Sequence, residues 1–266
     1  MTDLATAANP GNTKPFADQR KNLILERITS SGRIDAVQVA DELGVTGETI
    51  RKDLIALERQ GLLRRVHGGA VPVQSLSFEP AVETRQQFAS EKTRIAQAAL
   101  QHLPVQGSVL IDAGSTTAKL VELFPGDRDL TVYTNTVPLA MALLTRPRLT
   151  VFTLGGRLRT KTFAEVDDWA LRALAEINVD VAFLGTNGIS LTRGLTTPDP
   201  AEAAVKRRML EASAKRVLLA DRSKFGAVKG TKHADLGDID VLITDDGLTA
   251  DQCAQLRSTG IDVERT

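Results

Sequence analysis

From Val109 onward the chain alternates short apolar runs with stretches of helical periodicity, and this restricts the fold more than any other feature. Val109-Leu110-Ile111, Leu130-Thr131-Val132-Tyr133, Leu149-Thr150-Val151-Phe152, Val181-Ala182-Phe183-Leu184, Val217-Leu218-Leu219 and Val241-Leu242-Ile243 read as buried strands. Residues 118–123, 138–145, 169–176 and 201–214 read as helices between them. Such runs belong to strands covered on both faces, and crossover helices supply the cover, so a mostly parallel α/β domain is expected. Ligands of these sheets gather at the carboxyl ends of the strands.

Those ends are polar. The first strand finishes in Asp112-Ala113-Gly114-Ser115-Thr116-Thr117 and runs straight into a helix, where free N–H groups and hydroxyls make a good anion cradle. It is neither the phosphate loop of nucleotide hydrolases nor a dinucleotide turn, and taken alone it is explained better by ordinary helix capping. Thr134-Asn135, Gly155-Gly156-Arg157, Gly185-Thr186-Asn187-Gly188 and Ala220-Asp221-Arg222-Ser223-Lys224 follow other apolar runs. A phosphate wants backbone donors and cations, whereas a polyol wants carboxylates and amides. Asp112, Gly114, Ser115, Thr116, Thr117, Thr134, Asn135, Gly155, Gly156, Arg157, Asn187, Asp221 and Lys224 are therefore the candidate effector-binding residues.

The amino-terminal part has a different period. Leu23, Ile24, Leu25 and Ile28 mark a first helix that ends at Ser31-Gly32. Asp35 is placed to cap a second, 36–43, and Thr46 a third that runs to about Gln60, with Ile50, Leu54 and Leu57 facing inward. Two short helices joined through Gly44 have the form of a helix-turn-helix. Leu62 to Val66, a turn at His67-Gly68-Gly69 and a return over 70–73 form a wing. Arg51, Lys52, Arg59, Arg64 and Arg65 face only Asp53 and Glu58 in this stretch, a local cationic excess suited to a polyanion. The reading helix and wing nominate Thr46, Gly47, Glu48, Thr49, Arg51, Lys52, Arg59, Arg64, Arg65 and His67 for DNA. Arg64 and Arg65 point to opposite faces of a strand, so one of them is expected to brace the fold.

The whole chain of 266 residues balances 33 Lys and Arg against 33 Asp and Glu, so any attraction to DNA depends on local placement of charge rather than net charge. The single cysteine, Cys253, excludes an internal disulfide, and His67, His102 and His233 lack metal-ligand spacing. No apolar run reaches the length of a membrane span and the first residues lack a secretory pattern, so a cytoplasmic protein without metal or cofactor is expected. The expected organisation is a disordered tail over 1–15, a winged helix-turn-helix over 16–73, a linker over 74–84 and an effector-sensing domain over 85–266.

In both modules these residues resemble a known family. Val39-Ala40-Asp41-Glu42-Leu43-Gly44-Val45-Thr46, Thr49-Ile50-Arg51-Lys52-Asp53-Leu54 and Gly61-Leu62-Leu63-Arg64-Arg65-Val66-His67-Gly68-Gly69-Ala70 resemble the winged helix-turn-helix of the DeoR family of bacterial sugar-metabolism repressors. The Asp112–Thr117 stretch, Leu154-Gly155-Gly156, Gly194-Leu195-Thr196, Lys206 and Ala220-Asp221-Arg222-Ser223-Lys224-Phe225-Gly226 are similar to its sensor domain. The resemblance implies a fold related to ribose 5-phosphate isomerase and the coenzyme A transferases, and a pocket whose phosphorylated sugar or related metabolite changes DNA affinity. Three departures stand out: Lys52 where the family usually has a second arginine, Gly47 in the first turn of the reading helix, where it removes a side chain that could read a base, and Asp167 where a glycine is commoner.

Three functions follow as expectations. The first is a ligand-gated transcriptional regulator, a repressor of carbohydrate uptake or catabolism genes, acting on double-stranded operator DNA as a homo-oligomer and without a membrane partner. The second is a sugar-phosphate isomerase on the same sheet; the glycine-rich segment that carries the isomerase glutamate is not evident, and no catalytic residue is assigned. The third is a constitutive DNA binder whose large domain is only a dimerisation scaffold.

Overall fold

The structure, a computed structural model, describes residues 15–72 and 76–266. Nearly all of the expected tail, the last residue of the returning wing strand and the first two linker residues lie outside the described residues. The chain divides between Gln74 and Ser75 into two compact units.

In the first unit, α1 (Ala17–Ser31) closes on Gly32, whose left-handed φ of +70° lets its N–H donate to the Ile28 carbonyl at 3.1 Å. A two-residue strand, β1 (Ile34–Asp35), follows. Asp35 then caps α2 (Ala36–Glu42), accepting from the N–H groups of Val37 and Gln38 at 2.8 and 3.1 Å. Thr46 caps α3 (Gly47–Arg59) through the Thr49 N–H at 3.2 Å. β2 (Leu63–Val66) and β3 (Gly69–Pro72) form the antiparallel wing, and β1 pairs with the other edge of β3. A Cβ on Gly69 would lie 1.9 Å from the Ile34 carbonyl oxygen, so this close approach requires glycine. Ile24, Ile28, Ile34, Ile50, Leu54, Leu57 and Leu63 fill the core.

The second unit opens with α4 (Ala89–Ala99), β4 (Gly107–Ile111), α5 (Ser115–Glu122), β5 (Leu130–Thr134), α6 (Val137–Leu143) and β6 (Leu149–Thr153). A short hairpin, β7 (Arg157–Leu158) and β8 (Glu165–Val166), leads to α7 (Asp168–Ala175) and β9 (Val179–Leu184). Then come β10 (Gly188–Ser190), β11 (Gly194–Thr197), α8 (Pro200–Glu211), β12 (Ser213–Leu219), β13 (Thr231–Ala234), β14 (Val241–Thr244), α9 (Ala250–Arg257) and β15 (Asp262–Arg265).

Seven strands form one parallel sheet in the order β15-β14-β12-β9-β4-β5-β6. Alternation along β4 explains its apolar run: Val109 and Ile111 enter the core with α4, α5 and α6, while Leu110 enters the one with α7, α8 and α9. The chain builds outward from β4 to β6, then returns to β9 and builds the other way. This reversal puts a crevice at the carboxyl ends of β4 and β9, where open α/β sheets bind ligands.

Three features differ from the sequence reading. Residues 84–102, which the sequence pattern of Arg85, Phe88, Ile95 and Leu100 offers as one helix, instead follow a 3-10 turn at Val82–Thr84, pass a left-handed Phe88 (φ +56°) that begins α4, and end in a 3-10 turn at Leu100–His102. The Phe88 ring carries the Arg222 guanidinium 4.4 Å from its centroid. Residues 76–84 do not run free as a linker but belong to the second unit, where the Val82 N–H donates to Lys161 and Glu79 is buried. The β10-β11-β13 sheet and β15 were not anticipated, because their short strands mix Thr, Lys, His and Glu and take their pairing from the surrounding fold.

Asp167 occupies φ +73°, ψ −165°, a region that only glycine enters freely. Its carboxylate pairs with Arg157 at 2.6 Å, and both side chains are about half exposed. The strain costs about 1–3 kcal/mol, whereas an exposed pair contributes ~0–1 and a new glycine loses ~0.5–1 to unfolded-state entropy. Asp167→Gly is therefore expected to raise stability by about 1 kcal/mol in urea titrations; a lower midpoint would show that the backbone there is not strained.

Candidate nucleic-acid interface and ligand site

On α3 the apolar face is turned inward and Glu48, Arg51, Lys52 and Arg59 are exposed. Thr46 and Thr49 are joined by their hydroxyls at 2.8 Å, which fixes the start of the helix, and no atom fills the space beside Gly47. Both anions counted against the cationic run are already engaged. Asp53 is buried and takes Arg20 of α1 at 2.8 Å, while Glu58 takes the Arg65 backbone N–H at 2.8 Å and its guanidinium at 2.6 Å. These Arg65 bonds hold the Glu58 carboxyl below its usual pKa. Arg65 is thus the wing arginine that braces the fold. Lys52, Arg59 and Arg64 form no ion pair among the described residues, and His67 is exposed at the wing turn. Arg51 pairs with Glu48 one turn away at 3.1 Å on open surface, a contact that water screens and a phosphate can replace.

In the second unit the residues nominated at the strand ends fall into two groups. The first is consumed by the protein itself. Buried Asp112 forms an ion pair with Lys206, accepts from the Gly185 N–H at 3.0 Å, and accepts from the Asn135 amide at 3.3 Å. Asn135 also accepts from the Ala113 N–H at 2.8 Å, and the Thr134 hydroxyl donates to the Ile111 carbonyl at 2.8 Å. Asp112, Thr134 and Asn135 therefore shape the loop that leaves β4. Asn187 lies between Thr197 at 2.9 Å and Glu79 at 3.5 Å. Gly155, Gly156 and Arg157 serve the β7–β8 hairpin: the Gly155 N–H is bound by Glu165 at 2.8 Å and a Cβ on Gly156 would meet the Val166 oxygen at 2.4 Å.

The second group keeps unused capacity. α5 begins at Gly114 without any side-chain cap; the Thr117 hydroxyl donates to the Gly114 carbonyl at 3.0 Å instead, so simple capping does not explain the Ser115-Thr116-Thr117 run. Asp221 is buried after β12; one of its oxygens accepts from the Ser223 N–H at 3.0 Å, while Oδ2 has no hydrogen-bond partner among the described residues and lies 3.9 Å from the Lys224 ammonium. Burial opposes its ionisation, but Lys224, Ser223 and Lys92 outweigh burial and hold its pKa low.

Several members of this site escaped the sequence reading. Lys92 of α4 is buried and donates to the Arg85 carbonyl at 2.9 Å; burial first, then repulsion from Lys224 and Arg85, brings its pKa down to about 8. Lys229 is lowered by burial and by the same Lys224 and Arg85. Lys92 and Lys224 act on the buried Asp221, while Lys229 is repelled by Lys224 and Arg85 and attracted by the buried Glu79; an anion placed among these cations would relieve their mutual repulsion. Alongside, Glu79 is held by Arg85 at 2.8 Å and Arg159 at 2.9 Å, and Arg159 continues to Asp199 at 3.2 Å. Lys92 and Arg85 sit on a segment with no strand-end signature, so only the fold brings them here.

Comparisons with known proteins agree with this architecture. Residues 20–75 match the DeoR-like helix-turn-helix domain and residues 87–246 the DeoR C terminal sensor domain. The HTH-type transcriptional regulator GlpR of Haloferax volcanii is 38% identical over 92% of this chain and 96% of its own length. A putative aga operon transcriptional repressor of Escherichia coli O157:H7 is 33% identical over 92% of each chain. The ribose 5-phosphate isomerase A structure from Neisseria gonorrhoeae gives a TM-score of 0.38 at 18% identity, over 51% of this chain and 53% of that one, a likeness too slight to carry an argument. A winged helix-turn-helix followed by a ligand-sensing parallel sheet defines a transcriptional regulator rather than an enzyme. The chain belongs to the DeoR family. Among the described residues no helix is long and apolar enough to cross a membrane, and no group of His, Cys, Asp and Glu is placed to hold a metal. Cys253 is buried.

Two outcomes follow. Arg64→Ala should weaken DNA binding and lower the salt slope by about 1 with an unchanged melting temperature, whereas Arg65→Ala should lower the melting temperature. Anisotropy titrations at several salt concentrations, with thermal melts, distinguish them, and interchanged phenotypes would reverse the assignment. Lys92 carries its charge below about pH 8 and loses it above. Calorimetric affinity for a phosphorylated effector should therefore fall between pH 7 and 9, and Lys92→Met should flatten that fall; an equal slope in the variant would remove Lys92 from the site.

Proposed function

We propose that this regulator represses carbohydrate uptake or catabolism genes by binding duplex operator DNA, and that a phosphorylated sugar or related metabolite modulates its grip. DNA contact falls to the unit over 16–73, through Thr46, Gly47, Glu48, Thr49, Arg51, Lys52, Arg59, Arg64 and His67, with Arg65 supporting the wing. Sensing falls to the unit over 85–266, together with 76–84. One winged helix spans too few base pairs for selection among genomic sites, so a homo-oligomer reading repeated half-sites in the cytoplasm completes the proposal.

The observation that carries the sensing reading is Lys92 and Lys224 acting on Asp221, whose Oδ2 has no hydrogen-bond partner among the described residues, with Lys229 and Arg85 adding repulsion to the same lysines. The cations suit a phosphoryl group, and the open carboxylate oxygen suits a sugar hydroxyl. Ser115, Thr116 and Thr117 add an uncapped helix start at the same edge of the sheet. Asp112, Thr134, Asn135 and Asn187 hold the walls.

The magnitudes are sufficient. Weakening operator binding tenfold needs ~1.4 kcal/mol of differential affinity, and one charge-assisted contact supplies ~1.5–3. The purified protein should retain its own promoter fragment in anisotropy assays, and one member of a sugar-phosphate panel should shift that affinity at least tenfold without being consumed. Lys224→Ala should abolish the shift and leave DNA binding intact. Indifference to the whole panel would leave the large unit as a scaffold, and an undiminished shift in Lys224→Ala would move the ligand elsewhere.

A further inference from the structure

The two edges of the parallel sheet are built differently. β15 carries Asp262, Glu264 and Arg265, and Arg257 donates to its Val263 carbonyl at 2.6 Å. Charges of this kind keep an edge strand from pairing with another chain. β6, at the other end of the strand order, reads Leu149-Thr150-Val151-Phe152-Thr153, without charge, proline or glycine, and pairs with β5 alone among the described residues. Such an edge is a template for one more strand.

Its flanks are apolar on both faces of the sheet. On one face α6 packs on α5, β5 and β6, burying Leu139 and Leu143 and exposing Val137, Met141 and Leu144. Spaced i, i+4 and i+7, these three form one stripe on the outer side of the helix. On the other face Phe152, half exposed, stacks on Tyr133 with ring centroids 5.1 Å apart. Leu158 and Trp169 are exposed beyond the carboxyl end of the strand, where a Cβ on Gly156 would lie 3.5 Å from the Ala170 nitrogen. Most of the large apolar side chains left exposed in the second unit fall between residues 123 and 169. Exposures of 38–70% on the six residues named leave on the order of 500 Å² open, the greater part of the ~800 Å² that each partner gives to a standard interface.

A second copy of this chain is the occupant that fits. Turned about a two-fold axis at Val151, two β6 strands run antiparallel with all five residues in register. Thr150 then lies opposite the second copy's Phe152 on one face of the joined sheet, and Leu149 opposite its Thr153 on the other. Charge agrees with this arrangement. Exposed Arg148 and Asp129 pair at the amino end of the edge, and exposed Arg157 and Asp167 pair at its carboxyl end. Antiparallel pairing brings the amino end of one copy to the carboxyl end of the other, so each arginine meets an aspartate. Joining β6 to β15 instead would set an uncharged strand against a charged one, and such a heterologous contact leads to open growth unless its rotation closes.

We propose, on the reading above that a homo-oligomer binds repeated half-sites, that β6 and α6 form a two-fold interface through which two copies of this chain join their parallel sheets.

Sedimentation equilibrium of the full-length protein decides this. Wild type should sediment as a closed dimer, or as a tetramer containing such dimers. Thr150→Lys and Met141→Lys, at exposed positions on the strand and on the helix, should each weaken the association at least tenfold and halve the mass. Leu191→Lys, exposed elsewhere on the same unit, should keep the wild-type mass. Operator anisotropy on the same samples separates the interface from the regulatory reading. Wild type that binds no operator ends that reading whatever its mass, whereas operator binding with unaltered mass in the variants ends only the interface. A wild-type monomer, open-ended growth, or wild-type association in either Thr150→Lys or Met141→Lys would overturn the proposal.

Discussion

A parallel sheet buried on both faces leaves only its two ends for polar chemistry, and the larger unit of this regulator follows from that constraint. Residues along each strand alternate between two apolar cores, so no charged side chain fits in the middle of β4, β9 or β12 without a partner. At the carboxyl end the strand order reverses beside β4, and there the buried Asp112–Lys206 pair ties β4 to α8 while the Gly185 N–H ties it to β9. Removing either member would leave an uncompensated buried charge, which is why the pair reads as the keystone of the loops rather than as ligand chemistry. Asp221 differs because one of its oxygens is still unassigned.

The smaller unit solves the opposite problem, keeping cations available on a surface that also contains anions. Burying Asp53 against Arg20 and committing Glu58 to Arg65 removes both acids from competition, and Lys52, Arg59 and Arg64 are left exposed. The wing reaches its place because Gly69 lets β1 and β3 approach to backbone distance. Helix starts are set locally by Asp35 and Thr46, whose side chains satisfy otherwise orphaned N–H groups. Exposed cations and stabilising ion pairs thus share a short segment but use different side chains of it.

Legibility varied with the range of the physics involved. The six apolar runs, the capped helices and the wing turn were readable because periodicity, capping and turn chemistry act over a few residues. The mixed-composition strands β10, β11, β13 and β15 were not, since their pairing is fixed by neighbours far away in sequence. For the strand-end residues, chemistry was visible but role was not: Asp112 and Asn135 look as ligand-ready as Asp221 until their partners are known. Arg157 looked like a phosphate contact and is engaged with Asp167, whose own φ explains why the family's glycine suits that position.

The sequence by itself determined the two modules, the parallel sheet, the helix-turn-helix with its wing, and the family, because each is written in local patterns or contiguous motifs. Tertiary structure alone decided which wing arginine is free, which strand-end carboxylate has an open oxygen, and that Arg85, Lys92 and Lys229 join Lys224. It alone placed β6 at the outer edge of the sheet with exposed apolar side chains on both of its flanks. Burial and charge pairing depend on which distant residues share a few ångströms, and no local pattern encodes that.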